Sequence, residues 1–268
     1  MCGRYVIKSK IETIEKRFNV SISEEVKLKP NYNVSPGDHA PVITNDKPNE
    51  IQMFRFGMQP FWSKKSMFLF NARAEGDKNQ DNDPNYTGAN EIVNKPAFRK
   101  PIRSQRCLVI GDAFIEGPTK EKLNKPYVVY IKTNTSGPLA FAGIWDTWVD
   151  NDKGEVLNSY SIITTQTNNL LQKIPHHRSP VIFQNREDEQ LWLNTEAPLA
   201  EAVNLLRPFP GDKMNAYPIS TDIKNSRIKD IGLLKPVGER LVAKHEYKFK
   251  KYIELEGMGM TRARKRKE

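Results

Sequence analysis

The sequence predicts an α+β fold: a single domain with an antiparallel, barrel-like β core and flanking helices. The middle of the chain contains apolar or alternating runs rich in Val, Ile, Tyr and Trp, which predict strands. Patterns typical of helices lie before and after these runs. The 268 residues are enough to bury a large core, and no internal repeat or clear linker divides the chain.

The first ninety residues combine one helix with strands and loops. "SKIETIEKRF" is typical of an amphipathic helix with Ile11, Ile14 and Phe18 on one face, and Ser9 with Glu12 has the spacing of a capping box. "NYNVSPGDHAPVIT" predicts a loop followed by a short strand, and "EIQMFRFGMQPFW" a strand that runs into a turn. The polar, turn-rich "DKNQDNDPNYTGAN" predicts a surface loop.

Most strands come from the middle of the chain, and the remaining helices follow them. The strand runs are "RCLVIGDAFIE", "PYVVYIK", "LAFAGIWDTWV" and "VLNSYSIITTQ", with a hairpin turn at "DNDKGE". Helical patterns occur in "NNLLQKI", "REDEQLWLN" and "PLAEAVNLL", and "AYPIS" predicts a further strand. We therefore expect one domain over residues 1–243 and a basic, poorly ordered tail over residues 244–268.

Composition indicates a cytoplasmic protein with a basic net charge. No run approaches the roughly 18 apolar residues that cross a bilayer, and the start of the chain lacks a signal-peptide pattern. Two cysteines do not make a disulfide framework, and with four histidines they show no metal-ligand spacing, so we expect no metal site. The net charge of +10 is compatible either with a polyanionic partner such as nucleic acid or with a basic soluble protein that has no such partner.

The chain begins with "MCGRY", which places a cysteine directly after the initiator methionine. If Met1 is removed, the α-amine and the thiol of Cys2 lie on adjacent carbons. An aldehyde condenses with such an amine to an imine, and the thiol then closes a five-membered thiazolidine ring. The position of Cys2 therefore predicts chemistry on an aldehyde, whereas Cys107, inside "CLVI", is expected to be a buried strand residue.

Two further motifs place acidic and basic groups beside apolar runs. In "NARAE", the side chains of Asn71, Arg73 and Glu75 share one face of an extended segment, either as a functional face or as a solvated face with an Arg–Glu pair. Glu116 ends an apolar strand. It is either a buried acid or base whose pKa is raised, or the first exposed residue after the strand.

A histidine pair and an aromatic residue beside a turn complete the candidates. "KIPHHRSPVIF" contains His176 and His177, which are either proton carriers or ordinary loop histidines. Two adjacent histidines are not expected to face one pocket in an extended segment. Trp62 follows Phe61 beside a turn and is expected either to stack on a nucleobase or to fill the core.

The order of these motifs resembles the SOS response-associated peptidase family. The resemblance extends from Met1 to about Val237 and rests on "MCGRY", "YNVSPG", "NARAE", "RCLVIGDAFIE", "AFAGIWDTW", "SIITTQTN" and "HHRSPVI". It implies an α+β fold with a barrel-like core and a positively charged groove for single-stranded DNA. It also implies that the protein crosslinks itself to abasic sites in single strands and so shields the lesion, acting at the nucleoid.

The resemblance assigns roles residue by residue. The catalytic residues it implies are Cys2, Asn71, Glu116 and His176, and the DNA-binding residues are Gly3, Arg4, Arg73 and Trp62. It implies no cofactor, and a monomer suffices for the chemistry.

Three departures from the family pattern concern DNA contacts. Gly117 replaces a tryptophan after the catalytic glutamate, Ser179 replaces a large residue before the proline, and Phe56-Gly57 replaces Trp-Gly. They leave open how bases stack and which flanking structure is preferred.

Other functions stay open at this point. A thiol peptidase that acts on proteins and a passive single-strand binding protein are the alternatives, and strand cleavage by a lyase step is a possible accompaniment. Removal of Met1 by the protein itself or by a methionine aminopeptidase is equally compatible with the sequence.

Overall fold

The strands of the computed structural model build two sheets, and the structure describes residues 2–23, 28–132, 137–150 and 152–242. The strands are β1 (Tyr5–Ile7), β2 (Ser21–Ile22), β3 (Asn31–Val34), β4 (His39–Thr44), β5 (Glu50–Phe56), β6 (Asn71–Arg73), β7 (Arg106–Gly111), β8 (Ala113–Glu116), β9 (Tyr127–Ile131), β10 (Leu139–Asp150), β11 (Glu155–Gln166), β12 (Arg178–Pro180) and β13 (Met214–Pro218). The α-helices are α1 (Ile11–Phe18), α2 (Pro101–Ser104), α3 (Asn169–Lys173), α4 (Arg186–Leu193) and α5 (Leu199–Asn204). Short 3₁₀ helices cover Glu91–Asn94, Lys122–Asn124, Gly211–Lys213, Thr221–Lys224 and Ile231–Leu234.

Five strands of the larger sheet close into a barrel. β4 pairs with β5 and β7, β7 pairs with β10, and β10 pairs with β11, all antiparallel. The ring closes where β11 runs parallel to β5, with Tyr160 opposite Phe56. The predicted α+β fold and barrel-like core are confirmed, but the barrel is mixed rather than antiparallel. Parallel closure joins strands that are about a hundred residues apart, so no local turn signal announces it.

The smaller sheet places the start of the chain beside the end of β8. Its strand order is β13-β9-β8-β1-β3, and Tyr5 lies opposite both Phe114 and Val34. The amide of Ile115 donates to the carbonyl of Arg4 at 2.9 Å, which continues the pairing toward the N-terminus. Residues 2–4 therefore run alongside Glu116.

A buried cluster of aromatic rings joins the barrel to the smaller sheet. The ring of Tyr5 lies 5.6 Å from that of Phe56 and 5.8 Å from that of Phe141, both edge-on. Its hydroxyl lies 2.5 Å from the hydroxyl of Tyr160, so the two buried phenols satisfy each other. This cluster fixes β1, and with it the residues that precede β1.

Most predicted elements are present, with three differences. α1 is confirmed, but the capping box is wrong: the amide and hydroxyl of Ser9 donate to Asp112 instead. The predicted loop at "NYNV" is strand β3, because β1 offers it a pairing edge. "RCLVIGDAFIE" forms two strands, β7 and β8, which separate at Asp112.

The last described residues run along the edge strand β13. The amide of Leu241 donates to the carbonyl of Ala216 at 2.9 Å, and that of Val242 to the side chain of Asn215 at 3.1 Å. The predicted basic tail, residues 244–268, lies outside the described residues. Among the described residues, no helix is both long enough and apolar enough to cross a membrane.

Candidate active site

A cleft of about 900 Å³ opens where the N-terminal segment, the end of β8, β6 and the residues before β12 meet. Gly3, Arg4, Arg73, Glu116 and His176 line it, together with the segment from Gly117 to Asn124. Five of the eight sequence-predicted site residues therefore share one cavity. Two more, Cys2 and Asn71, do not line the cleft but are joined to each other by a hydrogen bond, and Cys2 directly precedes Gly3 and Arg4 of the lining.

Cys2 is buried and held by its main chain. Cys2 is only 1% exposed, and its thiol sulfur lies 3.9 Å from the carbonyl oxygen of Arg4. The Nδ2 atom of Asn71 donates to the carbonyl of Cys2 at 2.9 Å. Burial, and secondarily the negative charge of Glu116, raises the pKa of the thiol, so the sulfur carries its proton at neutral pH. Asn71 therefore fixes Cys2 near Glu116.

Glu116 and His176 form a buried acid–base pair. Nε2 of His176 lies 3.4 Å from Oε2 of Glu116, and both residues are 5% exposed. Burial raises the pKa of Glu116 to about 7 and lowers the pKa of His176 to about 3. Although the two groups are close enough for an ion pair, both shifts favour the neutral forms. The alternative that Glu116 is the first exposed residue after its strand is wrong.

The tautomer of His176 follows from its second contact. Nδ1 lies 2.7 Å from the carbonyl oxygen of Gly117, which can only accept a hydrogen bond. Nδ1 therefore carries the proton, and the lone pair of Nε2 faces the carboxyl of Glu116. Because burial raises the pKa of Glu116 to about 7, the acid and the carboxylate are both accessible near neutral pH, and the group can both donate and accept a proton.

His176 and His177 both line the cleft, contrary to the expectation from sequence. Their rings stack with centroids 5.4 Å apart and planes 24° from parallel. The expectation assumed an extended segment, but β12 begins only at Arg178 and the two histidines follow the turn after α3. Alternation between faces therefore does not apply to them.

Two arginines of the cleft are held by polar neighbours. Arg4 donates to Asn33 at 2.6 Å and to Ser35 at 2.8 Å. Arg73 donates to the carbonyl of Asn79 and to the side chain of Asn82, which anchors the loop after β6. Both guanidinium groups line the cleft and give its walls positive charge.

The acidic member of "NARAE" serves a structural role. Glu75 is buried and forms a bidentate ion pair with Arg178, with N–O distances of 3.0 and 2.8 Å. The expected Arg–Glu pair within the motif is therefore wrong. The pair ties the turn after β6 to β12, directly after the two histidines.

Trp62 does not lie among the residues that line the cleft. Its side chain is 47% exposed, and Phe61 and Phe68 are 51% and 48% exposed. The core-filling alternative is therefore wrong. Stacking on a base outside the cleft stays a prediction.

Gly117 lets one wall of the cleft pack closely, a structural role that the sequence does not predict for it. A Cβ atom at Gly117 would lie 1.8 Å from the carbonyl oxygen of Lys122 and 2.8 Å from that of Lys125. Only glycine lets the segment from Pro118 to Lys125 pack this closely on the end of β8. The signal in the sequence is the glycine directly after a buried acid.

Comparison with protein-family models shows to which family the chain belongs. The family model for SOS response associated peptidase (SRAP) matches residues 1–226. The chain belongs to the SRAP family. The resemblance drawn from the motifs is thereby confirmed.

SRAP relatives and a solved structure cover most of the chain. "Abasic site processing protein YoqW" of Bacillus subtilis (strain 168) is 33% identical over 233 residues, which are 85% of this chain and 96% of the relative. "Abasic site processing protein HMCES" of Pongo abelii is 30% identical over 257 residues, covering 83% of this chain and 69% of the relative. A crystal structure of a protein from Bacteroides thetaiotaomicron matches with a TM-score of 0.74 at 30% identity, covering 88% of this chain and 100% of that one.

Proposed function

We propose that this SRAP protein processes abasic sites in single-stranded DNA by forming a covalent crosslink through Cys2. The names of its relatives support abasic DNA as the substrate. The observation that carries the proposal is the position of Cys2, held by Asn71 beside the buried Glu116–His176 pair at a cleft with basic walls. A DNA substrate agrees with the predicted cytoplasmic location.

The chemistry proceeds by condensation and ring closure. An abasic deoxyribose equilibrates between a closed ring and an open-chain aldehyde. After removal of Met1, the amine of Cys2 attacks the aldehyde carbon, and loss of one water gives the imine. The Cys2 sulfur then adds to the imine carbon while its proton moves to the nitrogen, which closes the thiazolidine. No oxidant, metal or cofactor enters this balance.

Glu116 acts as both acid and base in these steps. Its protonated carboxyl donates a proton to the sugar ring oxygen, and the carboxylate takes back the proton of the anomeric hydroxyl as the ring opens to the aldehyde. The restored acid then protonates the hydroxyl that leaves as water. The carboxylate that results can accept the thiol proton during ring closure, which is needed because burial keeps the thiol protonated. A pKa of about 7 suits a group that must donate and accept near neutral pH.

His176 and Asn71 support the two reactive groups. The lone pair of His176 Nε2 faces Glu116 and can accept a hydrogen bond from its protonated carboxyl, which orients that carboxyl while the imidazole itself stays neutral. Asn71 holds the carbonyl of Cys2, so the amine on the same residue keeps its position relative to the aldehyde.

Phosphate contacts hold the strand without reading its sequence. Arg4 and Arg73 supply positive charge on the cleft walls, and Gly3 lets a strand approach the main chain closely. The indole ring of Trp62 stacks on a base that flanks the lesion. Binding is then largely independent of sequence and weakens as salt rises.

A thiol peptidase that acts on proteins is the second candidate, favoured by the family description and by a cysteine near a histidine and a carboxylate. The raised pKa of the Cys2 thiol argues against it, because thiol peptidases attack as the thiolate. Removal of Met1, by the protein itself or by an aminopeptidase, is compatible with both functions. A lyase step that cleaves the strand through the imine would follow from the same chemistry.

A denaturing gel tests the proposal. Purified protein with Met1 removal confirmed by mass is mixed with a labelled single strand that contains one abasic site, beside an intact strand. Wild type is expected to give a slow band on the abasic strand alone, and Cys2→Ala none. Cys2→Ser is expected to give a band only after borohydride trapping, because an imine forms but no thiazolidine. A heat-stable band with Cys2→Ala would overturn the mechanism.

A further inference from the structure

His177 has one ring nitrogen held and one that faces the cleft. Nδ1 lies 2.5 Å from the hydroxyl oxygen of Thr119, and the ring stacks on His176. Nε2 makes no hydrogen bond to any residue that the structure describes, and no carboxylate of those residues lies within 4.0 Å of the ring. The proposed mechanism gives His177 no role, although it is half-buried in the wall of the cleft.

The charges of two arginines act on His177. Burial first, and then the neighbouring His176 and the charges of Arg178 and Arg73, lower its pKa to about 4. Arg178 is offset by its ion pair with Glu75. Arg73 has only neutral hydrogen-bond partners among the described residues, and the two carboxylates that act on its charge, Glu75 and Asp77, are paired with Arg178 and Lys95. The cleft therefore contains a neutral imidazole together with a guanidinium that no carboxylate contacts directly.

The remaining charged groups of the cleft lie on other elements. Glu116 at the end of β8 titrates near neutral pH, and Glu121 and Lys122 carry opposite charges on the segment after Thr119. In the processed chain the amine of Cys2 adds another titratable group. None of the carboxylates balances Arg73 and His177 by direct contact, so the place between these two side chains suits an external anion.

We propose that a backbone phosphate of the bound single strand lies between Arg73 and His177, and that His177 takes up a proton from solvent to donate Nε2–H to it. This phosphate site rests on the proposed DNA function and adds a residue to it. The phosphate supplies a negative charge in direct contact with His177, which no carboxylate of the described residues provides, so the imidazolium becomes stable when DNA binds. Thr119 keeps the ring oriented, because its hydroxyl oxygen accepts from Nδ1–H in the protonated form.

Proton uptake makes binding depend on pH in a defined direction. The free imidazole begins to titrate only near its pKa of about 4, whereas the bound one titrates at a higher pH. Between these two pKa values the bound state holds one proton more, so affinity falls by up to about tenfold for each pH unit of increase. Above the pKa that His177 has in the DNA-bound state, the affinity no longer changes with pH.

The test measures the affinity of an intact, fluorescently labelled single strand between about pH 5 and about pH 7. An intact strand contains no aldehyde, so crosslinking does not interfere. All proteins carry Glu116→Gln, which removes the carboxyl that titrates in the same range. The comparison is Glu116→Gln against Glu116→Gln with His177→Gln, and the matched control adds His39→Gln, an exposed histidine on β4.

We expect affinity to fall as pH rises in the Glu116→Gln protein and in its His39→Gln control, and to be nearly constant with His177→Gln. Glutamine still donates a hydrogen bond, so binding at the alkaline end is expected to be retained. An equal pH dependence with and without His177 would overturn the phosphate site. Calorimetry in buffers of different ionisation enthalpy counts the proton directly, and its count is expected to drop with His177→Gln.

The proposed function fails in a different way. If the protein binds no single strand at any pH, or binds it without salt dependence, the DNA function is wrong. If it binds DNA strongly and crosslinks abasic strands but shows no His177-dependent proton uptake, only the phosphate site is wrong.

Discussion

Replacement of Glu116 by glutamine tests whether burial sets the acid–base chemistry of the site. The carboxyl is buried, and its pKa is raised from 4.5 to about 7. The folded state therefore binds a proton that the unfolded state releases, and stability falls as pH rises from 4.5 to about 7. At about 1.4 kcal/mol per pH unit, this loss amounts to roughly 3 kcal/mol.

Glutamine removes the titration and keeps the shape. We expect Glu116→Gln to match wild type below about pH 4 and to exceed its free energy of unfolding by up to about 3 kcal/mol above about pH 7. The side-chain amide can donate to the lone pair of His176 Nε2, so the variant leaves no new unpaired group on that side. Crosslinking is expected to slow by about 10²- to 10⁴-fold, the usual contribution of one acid–base group.

Urea denaturation across this pH range measures the first effect, and the denaturing gel in a time course measures the second. Binding to an intact single strand is the control and is expected to be no weaker than in wild type. If wild type and Glu116→Gln show the same change of stability with pH, the carboxyl is not the buried neutral acid described here. If crosslinking keeps its rate, Glu116 is not the proton carrier.

Three substitutions test other parts of the site. Asn71→Ala removes the hydrogen bond to the Cys2 carbonyl, worth about 1 kcal/mol, and is expected to slow crosslinking at least about fivefold in a gel time course. Arg73→Ala is expected to weaken single-strand binding and to reduce the slope of log affinity against log salt by about 1, measured by fluorescence titration. Gly117→Ala places a Cβ atom against two backbone carbonyls and is expected to destabilise the fold by about 2 kcal/mol, measured by urea denaturation.

Each of these has an outcome that would contradict it. Asn94→Ala and Arg207→Ala, at exposed positions away from the cleft, are the matched controls for the first two and are expected to behave like wild type. An effect of equal size in a control would remove the assigned role. Unchanged stability in Gly117→Ala would mean that the segment after Gly117 moves freely away from β8.

The sequence predicts those parts of the fold that local periodicity encodes. Strands β9, β10 and β11 and helices α1, α3, α4 and α5 follow from the spacing of apolar residues and from turn residues. The parallel closure between β5 and β11 and the strand β3 depend on partners far along the chain. A local pattern does not show which distant segment a residue contacts. For the same reason the spacing of Ser9 and Glu12 predicts a helix cap, whereas Ser9 binds Asp112, which is far along the chain.

The same distinction holds for the site. The chemistry of Cys2 follows from covalent structure alone, since a cysteine after Met1 becomes a 1,2-aminothiol when Met1 is removed. The sequence marks Glu116 as a candidate because it ends an apolar strand, but it does not show whether the carboxyl is buried or exposed. The structure decides this, since Glu116 is buried. The inward position of His177 and the pairing of Glu75 with Arg178 arise from the meeting of three separate segments, so the sequence held no signal for either.

The mass of the adduct shows whether Cys2 closes a thiazolidine on the abasic aldehyde. Processed protein is reacted with a short abasic strand, and the intact complex and its proteolytic peptides are measured by mass spectrometry without reduction. We expect one adduct, whose mass is the sum of protein and DNA less one water, with the DNA remnant on the peptide that begins at Cys2. We also expect borohydride to leave this mass unchanged, because a thiazolidine contains no C=N bond. A remnant on another residue, or an adduct that survives only after reduction, would contradict thiazolidine formation at Cys2.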